Sequence, residues 1–385
     1  MAPRSSTGTE TVSSTLLLLI TTTFTVDSLI TGGYDEPGIA GANAANPADQ
    51  VLWHVYNDLA RFQTVALQGS EPIGLEIQKT IWGYKRTDAL GNAYFSRLRI
   101  INKGGVDVDG SGTRGSFFID SMYVSQWTDT DVGSAGDDLL GVDTVLAFGY
   151  TYNGSPADAE YQKFNLPPPS VGYDLLSGPM VTSPGDSALF DMRRRYGFRI
   201  LGLSAFMPFS TGDAYSDPGR TYSTGTLRWY RVLRGFVPID GSDRYLPHPP
   251  GVTPGPFPFS GDPITRAGFI DGLGTSYSVP PGDRRFVLTS GPFRMTPGDT
   301  QEVVFAFIGG LGSDRFSSVS ALRTASRLAQ SMYDNLLRSF APRTSVEVDY
   351  PNQAQSAVTI LSDASGISTQ NIEGTLRRKD GTTLA

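Results

Sequence analysis

Cysteine is absent from the chain, and histidine is nearly so, with only His54 and His248. Without cysteine there are no disulfide bonds, thiolate zinc sites or cysteine nucleophiles. A Ser-His-Asp triad would have to use one of the two histidines, and two are too few for a three-histidine zinc centre. His54 lies in an apolar β-type segment and His248 in a proline-rich loop, and neither context is typical of a catalytic base.

Charge is also scarce. Only 18% of the residues are charged, which is below the roughly 25% typical of soluble domains. There are 31 Lys and Arg against 38 Asp and Glu, so the net charge is −7. A nucleic-acid partner would need a basic face, and no basic cluster is longer than Arg193-Arg194-Arg195. We therefore expect no nucleic-acid partner.

Long apolar runs are missing as well. The run in residues 15–26, TLLLLITTTFTV, is too short for a transmembrane helix, which needs about 20 apolar residues. No small-residue cleavage pattern follows it closely, which argues against a signal peptide. Its β-branched residues predict a strand. We expect no transmembrane segment, and if the protein is exported, its signal lies upstream.

What the sequence has in abundance is glycine (44), proline (26), phenylalanine (21) and tyrosine (17). Combined with the low charge, this composition is typical of a β-rich, turn-rich extracellular protein. Residues 73–84 and 94–101 alternate polar and apolar side chains around a turn at 89–92, which predicts an antiparallel hairpin. Two more strands are predicted at 285–290 and 301–308, on either side of Thr296-Pro297-Gly298-Asp299.

One helix is predicted by apolar residues at intervals of three and four over residues 317–339, with Ser317 or Ser318 as its cap and Pro342 after its end. Residues 227–236 fit either a strand or a short helix. The whole pattern predicts a mainly β fold. Residues 1–343 would form a large antiparallel β-sandwich with the helix packed near its C-terminal end, and residues 344–385 would begin a second, truncated β module.

The densest group of carboxylates lies between two predicted strands, one ending at Trp127 and one spanning residues 144–150. Calcium takes six to eight oxygen ligands, and clustered carboxylates repel one another unless a cation or arginines neutralise them. Tight turns also prefer Asp and Gly, so a plain turn is the competing interpretation. A second Asp/Gly loop, residues 107–115, has the same character. The predicted ion is Ca2+, and its predicted ligands are Asp129, Asp131, Asp137, Asp138 and Asp143.

Several segments resemble a family of large, uncharacterised secreted bacterial proteins that typically carry a C-terminal type IX secretion sorting domain. The segments include IGLEIQKTIWGY, DSMYVSQWTDTDVGSAGDDLLGVDTVLAFGYTYN, PPPSVGYDLLSGPMV and LTSGPFRMTPGDTQEVVFAFIGG. The likeness covers residues 52–335. It implies a location outside the cell or on its outer surface, and it implies that this chain is an internal fragment. It implies no established activity.

The predicted function is a secreted or cell-surface structural or binding module with a calcium-stabilised loop and no assigned catalysis. Its predicted partner is an extracellular glycan or a surface protein. The alternative is a carbohydrate-active enzyme or carbohydrate-binding module. A glycosidase needs only two carboxylates, for which Glu76, Asp129 and Asp138 are candidates. Sugar stacking would use tryptophans that are not buried in the core, chosen from Trp53, Trp82, Trp127 and Trp229.

Overall fold

The computed structural model describes residues 48–105, 111, 117–210, 215–241, 243–272 and 279–335. Three predicted features lie outside these residues: the strand at 15–26, the second β module at 344–385 and, apart from Ser111, the Asp/Gly loop at 107–115. They stay predictions.

Strands account for 41% and helices for 19% of the structure, which confirms the mainly β class. Within the described residues, the α-helices are α1 (Arg61–Gln68), α2 (Ala159–Gln162), α3 (Leu227–Leu233) and α4 (Arg315–Asp334), and shorter 3-10 or π-helical turns lie at Ala89–Asn92, Ala135–Asp137 and Tyr222–Thr226. The strands are β1 (Gln50–Asn57), β2 (Leu75–Gly83), β3 (Ala93–Asn102), β4 (Ile119–Asp129), β5 (Asp138–Asp143), β6 (Phe148–Asn153), β7 (Ser170–Ser177), β8 (Met180–Phe190), β9 (Arg193–Ile200), β10 (Leu203–Ser210), β11 (Arg284–Met295) and β12 (Thr300–Gly310).

The strands form three antiparallel sheets. The large sheet has seven strands in the order β1-β2-β3-β12-β7-β6-β5, the small sheet has the order β10-β11-β4, and β8 pairs with β9 in a separate ribbon. The predicted hairpin is the β2–β3 pair, in which Trp82 lies opposite Phe95 and their rings stack 5.4 Å apart. Strands β11 and β12 flank the predicted turn, but they belong to different sheets.

The small sheet packs on one face of the large sheet, and this forms the sandwich. Val303 and Phe305 on β12 point into that interface, where they join Phe293 and Met295 of β11 in one buried cluster. Gly149 lies where the two sheets pack tightly, because a Cβ there would be 2.8 Å from the Phe286 ring. The contact therefore requires glycine at this position.

Helix α4 covers the opposite face of the large sheet. Its buried residues recur every three or four positions, and they share one cluster with Val304, Ala306 and Ile308 of β12. The helix begins at Arg315, two residues before the predicted range, and then follows that range to Asp334, whereas residues 336–339 lie outside the described residues. The buried apolar positions of α4 are Val319, Leu322, Ala325, Ala329 and Met332.

The N-terminal cap of α4 was predicted at Ser317 or Ser318, but it is Asp314. The Asp314 carboxylate accepts hydrogen bonds from the N–H groups of Phe316 and Ser317. The Ser317 hydroxyl in turn accepts one from the N–H of Asp314 at 2.8 Å, which completes a capping box. Ser317 thus takes part in the cap from the third helical position.

The strand predicted at residues 144–150 is confirmed only in its last part, because residues 148–150 open β6 and residues 144–147 form a turn. The chain instead forms two strands, β5 and β6, joined by a turn in which the Asp143 carboxylate accepts hydrogen bonds from the N–H groups of Val145 and Leu146. Gly141 lies within β5, directly opposite Tyr150 on β6, and the Tyr150 ring occupies the space that a larger side chain would need. A Cβ at Gly141 would be 2.3 Å from Cζ of Tyr150. The undecided segment at 227–236 contains α3.

Candidate cation site

The five predicted ligands lie at three places around β4 and β5. Asp129 is the last residue of β4, and Asp131 follows it in the connecting loop. Asp137 and Asp138 lie where that loop enters β5, whereas Asp143 is the last residue of β5. At about 3.3 Å per residue, Asp143 is roughly 16 Å along the strand from Asp138.

Asp143 binds the helix rather than the other four aspartates. Its carboxylate lies 3.4 Å from Nε of Arg323 on α4, and the same guanidinium lies 3.0 Å from Asp262. Together with its hydrogen bonds to the β5–β6 turn, this ion pair gives Asp143 a structural role at the far end of β5. The structure does not bring it to the other predicted ligands.

Asp129 and Asp131 meet a residue that the sequence analysis did not select. One carboxylate oxygen each from Asp129, Asp131 and Asp283 lie within 4.8 Å of one another. Asp283 directly precedes β11, and β11 pairs with β4 so that Arg285 lies opposite Asp129. We call these three residues the outer triad. The register of two strands far apart in sequence creates it, and no local sequence signal marks Asp283.

Arg285 supplies positive charge to the outer triad. Its guanidinium lies 2.9 Å from Asp129, 2.7 Å from Asp283 and 3.1 Å from Asp217. Burial alone would lower the pKa of Arg285, but its hydrogen bonds with Asp129 and Asp217 and the nearby negative charges outweigh that effect and raise the pKa. The outer triad therefore already contains one internal cation.

Asp137 and Asp138 lie in a second group, which we call the inner cluster and which also contains Asp158 and Asn153. The β5–β6 register places Asp138 directly opposite Asn153. Nδ2 of Asn153 donates to Asp137 Oδ1 at 3.1 Å and to Asp158 Oδ2 at 3.3 Å. Gly133 lets the loop come close, because a Cβ there would lie 2.5 Å from Asp158. The sequence analysis missed Asn153 and Asp158.

Asp138 is wholly buried. Burial raises the pKa of its carboxyl group to about 7, and the negative charges of Asp137, Asp131 and Asp158 add to the effect, while a hydrogen bond from the N–H of Val132 opposes it. At neutral pH this carboxyl group is therefore near its midpoint of ionisation. A cation beside it would favour the ionised form.

Asp158 behaves differently, although its side chain is also buried. Burial alone would raise the pKa of Asp158, but hydrogen bonds from the N–H groups of Ser134, Tyr161 and Glu160 outweigh it and lower the pKa. Two of these N–H groups begin α2, for which Asp158 is the cap. Asp158 is thus a fixed negative charge beside Asn153.

Glu76 and the two histidines, which were also considered for catalysis, do not join the acidic groups. Glu76 is on β2, which is separated from β5 by four strands of the large sheet, so Glu76 and Asp138 do not form a carboxylate pair. His54 stacks on Tyr56, and His248 lies against Phe269 with Nδ1 2.7 Å from the Leu246 carbonyl oxygen. Neither histidine belongs to the outer triad or the inner cluster.

The four tryptophans differ in exposure. Trp82 is buried, Trp53 and Trp229 are half-buried, and Trp127 is 44% exposed. Trp127 and Asp129 are two residues apart on β4, so their side chains project from the same face. Nε1 of Trp127 donates to Asp217 at 2.7 Å, and Asp217 also binds Arg285. The exposed indole is therefore held beside the outer triad.

The fold and this corner define a class of protein: a mainly β, sandwich-like module with a packing helix and acidic groups at the end of β4 and the start of β5. No family model matches the chain, and no curated protein matches it. Within the described residues, no helix combines the length and apolar character needed to cross a bilayer.

Proposed function

We propose that the protein is a secreted or cell-surface β-sandwich module with a structural or binding role, whose acidic corner binds calcium. The observation that carries the proposal is the convergence of Asp129, Asp131 and Asp283, which places three carboxylate oxygens within 4.8 Å of one another. Calcium takes oxygen ligands at about 2.3–2.6 Å in flexible geometry, and backbone carbonyls or water can complete such a set. The extracellular location rests on the composition and on the resemblance to secreted bacterial proteins.

A structural role for the ion suits the place of the triad in the fold. Asp129 ends β4 and Asp283 leads into β11, so an ion bound by both would tie the end of one strand to the start of its neighbour. The loop that carries Asp131 would be fixed by the same ion. Glycosidases separate their two carboxyl groups by about 5–9.5 Å, whereas the triad is tighter and Arg285 engages two of its members.

Carbohydrate binding is the second candidate, and the exposure of Trp127 favours it. Sugar rings stack on exposed aromatic faces, and neighbouring polar groups fix their orientation. Asp217 and Arg285 lie next to the indole and can exchange hydrogen bonds with hydroxyl groups. In this reading, the outer triad orders the strand end that presents Trp127.

Thermal unfolding of the full chain in excess CaCl2 and in EDTA tests the calcium proposal. A ligand that binds only the folded state raises stability by about 2.7 kcal/mol at a hundred times its dissociation constant. We expect a higher melting temperature in calcium and a smaller difference in Asp283→Asn. Equal melting temperatures in calcium and EDTA would reject the calcium part of the proposal.

A glycan array probed with the wild type and Trp127→Ala tests the second candidate. We expect binding that Trp127→Ala abolishes, while the half-buried Trp53 on β1 provides a matched control in Trp53→Ala. If the wild type binds no glycan on the array, carbohydrate binding is rejected and the structural role remains.

A further inference from the structure

Two buried oxygen atoms in the inner cluster have no hydrogen-bond partner among the described residues. They are Oδ1 of Asp138 and Oδ1 of Asn153, and both residues are 0% exposed. A buried oxygen without a partner is costly, and native proteins pair most such atoms with protein groups or with ordered water. Their environment therefore has to supply something that binds oxygen.

The two oxygens belong to directly opposite residues. Asp138 pairs with Asn153 in the β5–β6 register, and opposite residues in an antiparallel pair place their Cβ atoms about 4.5–5.5 Å apart on one face. The amide nitrogen of Asn153 is bound by Asp137 and Asp158 at 3.1 and 3.3 Å. These bonds hold the amide so that its oxygen points away from both carboxylates.

The loop between β4 and β5 closes over this pair. Its Thr130 hydroxyl lies 2.6 Å from the Thr151 hydroxyl on β6, and the N–H of Val132 donates to Asp138 Oδ2 at 3.3 Å. Val132 is itself buried. Asp138 and Asn153 are therefore covered by the loop and are not part of an exposed turn.

The charge of the inner cluster is unbalanced. Within the described part of the chain, no lysine or arginine forms an ion pair with Asp137, Asp138 or Asp158, and none does with the adjacent Asp131. The outer triad differs, because Arg285 pairs with Asp129 and Asp283. A basic side chain, Arg315, reaches the backbone carbonyl oxygen of Asn153 at 3.4 Å but forms an ion pair with none of the carboxylates of the inner cluster. A cation from solution would balance the charge of the inner cluster, whereas in the outer triad Arg285 already does so in part.

We propose that Asp138 and Asn153 are direct ligands of a divalent cation of the calcium type, in an inner site distinct from the outer triad. Carboxylate and amide oxygens are the ligands that such hard cations take. Asp137 and Asp158 would orient the Asn153 amide through its nitrogen and add negative charge. The inner site deepens the proposed function, since it names a second location for the same kind of ion.

A proton is the competing occupant. A protonated Asp138 could donate its O–H to Oδ1 of Asn153 and satisfy both atoms without a metal. A bound cation and a shared proton lead to opposite expectations for calcium binding at the inner cluster. A bound cation requires the ionised carboxylate, and a shared proton excludes it.

Calcium titration of the full chain by isothermal calorimetry, with melting curves in CaCl2 and EDTA, separates these outcomes. We expect Asp138→Asn to remove one binding event or weaken it at least tenfold, while Asp283→Asn leaves that event intact. Asp138→Asn should melt in EDTA no lower than the wild type, because it removes a buried charge. That result shows that the variant folds.

Asn153→Asp should have the opposite effect on calcium binding to that of Asp138→Asn. A second carboxylate should tighten calcium binding and lower the melting temperature in EDTA, because the cluster gains negative charge. Unchanged calcium binding in both Asp138→Asn and Asn153→Asp would overturn the inner site. Loss of all binding in Asp283→Asn alone would also overturn it and leave the outer triad as the calcium site. Loss of all calcium binding in Asp138→Asn alone would support the inner site and reject the outer triad as a calcium site.

Discussion

Arg284 and Asp271 form an ion pair that is closed off from solvent, with Nε 3.0 Å from Oδ2 and side chains that are 1% and 0% exposed. The guanidinium also donates to the Ser210 hydroxyl and to the carbonyl oxygens of Val279 and Pro280. Asp271 accepts from the N–H of Leu140 on β5. The pair thus links the long loop after α3 to strands of both sheets.

Removing the arginine of this pair should be strongly destabilising. Arg284→Met leaves Asp271 as a buried charge without its cation, and such losses cost about 3–5 kcal/mol. We expect urea unfolding to show a drop of that size in the free energy of unfolding. Replacing both partners, as Arg284→Met with Asp271→Leu, should recover part of it, because no buried charge remains.

The matched control for this pair is Arg228→Met. Arg228 lies 2.7 Å from Asp240, but both side chains reach solvent, where ion pairs contribute little. We expect its unfolding curve to overlay that of the wild type. A loss in Arg228→Met equal to that in Arg284→Met would mean that burial of the pair has no special effect.

A glycine in β5 should also be sensitive to substitution. Gly141→Ala would place a Cβ 2.3 Å from the Tyr150 ring, and overpacking of this kind costs about 1–3 kcal/mol. Gly202→Ala is the control, because no atom lies within 4 Å of the Cβ it would add, and we expect a change of about 0.5 kcal/mol or less. Chemical denaturation of both variants measures the difference. Equal effects would contradict the role assigned to Tyr150.

Gly141 also shows where local sequence patterns fail to predict secondary structure. The β2–β3 hairpin and α4 were predictable because alternation and helical spacing are properties of neighbouring residues. Strand β5 carries Asp138, Gly141 and Asp143, which favour turns, and only its contact with Tyr150 and its pairing with β6 explain the extended conformation. Tertiary packing overrides propensity there.

The candidate site was predictable to the same limited extent. The Asp-rich loop located the acidic corner, because its residues are adjacent in sequence. Asp283 and Asn153 join it through strand register, which the sequence does not display. Asp143 does not belong to the candidate site, because the full length of β5 separates it from Asp138. A local cluster of carboxylates therefore predicts the place of the site better than its ligand set.

Asp174 on β7 should make stability depend on pH. It is 1% exposed beneath α4, and burial raises the pKa of its carboxyl group to about 8, with the charge of Asp143 adding to the effect and the nearby Ser326 hydroxyl opposing it. Between the unfolded pKa near 3.9 and about 8, the folded state holds a proton that the unfolded state has lost. The stability that this group contributes is complete below the unfolded pKa, and it falls by about 1.4 kcal/mol per pH unit from there up to the folded pKa.

The variant Asp174→Asn tests this dependence. We expect it to unfold at higher urea than the wild type at pH 8 and at nearly the same urea at pH 4.5, because the amide has no proton to lose. Asp120→Asn, at an exposed position on β4, is the control and should follow the wild type at both values. Parallel pH profiles for Asp174→Asn and the wild type would contradict the assignment.

Arg285 should set how strongly the outer triad depends on calcium. Arg285→Met removes the cation that pairs with Asp129 and Asp283, so the variant should melt below the wild type in EDTA. Calcium binding at the triad should tighten, since an ion no longer competes with a guanidinium, and a tenfold gain in affinity corresponds to about 1.4 kcal/mol. The melting temperature in CaCl2 should therefore rise more in the variant than in the wild type.

The control for Arg285 is Arg231→Met, which breaks an ion pair with Asp243 at 3.0 Å outside the outer triad. It should leave the difference between calcium and EDTA at the wild-type value. A calcium response in Arg285→Met no larger than that of the wild type would show that the outer triad does not bind the ion. Any calcium response that remained would then have to come from elsewhere, and Asp138→Asn in the Arg285→Met background would show whether it comes from the inner cluster.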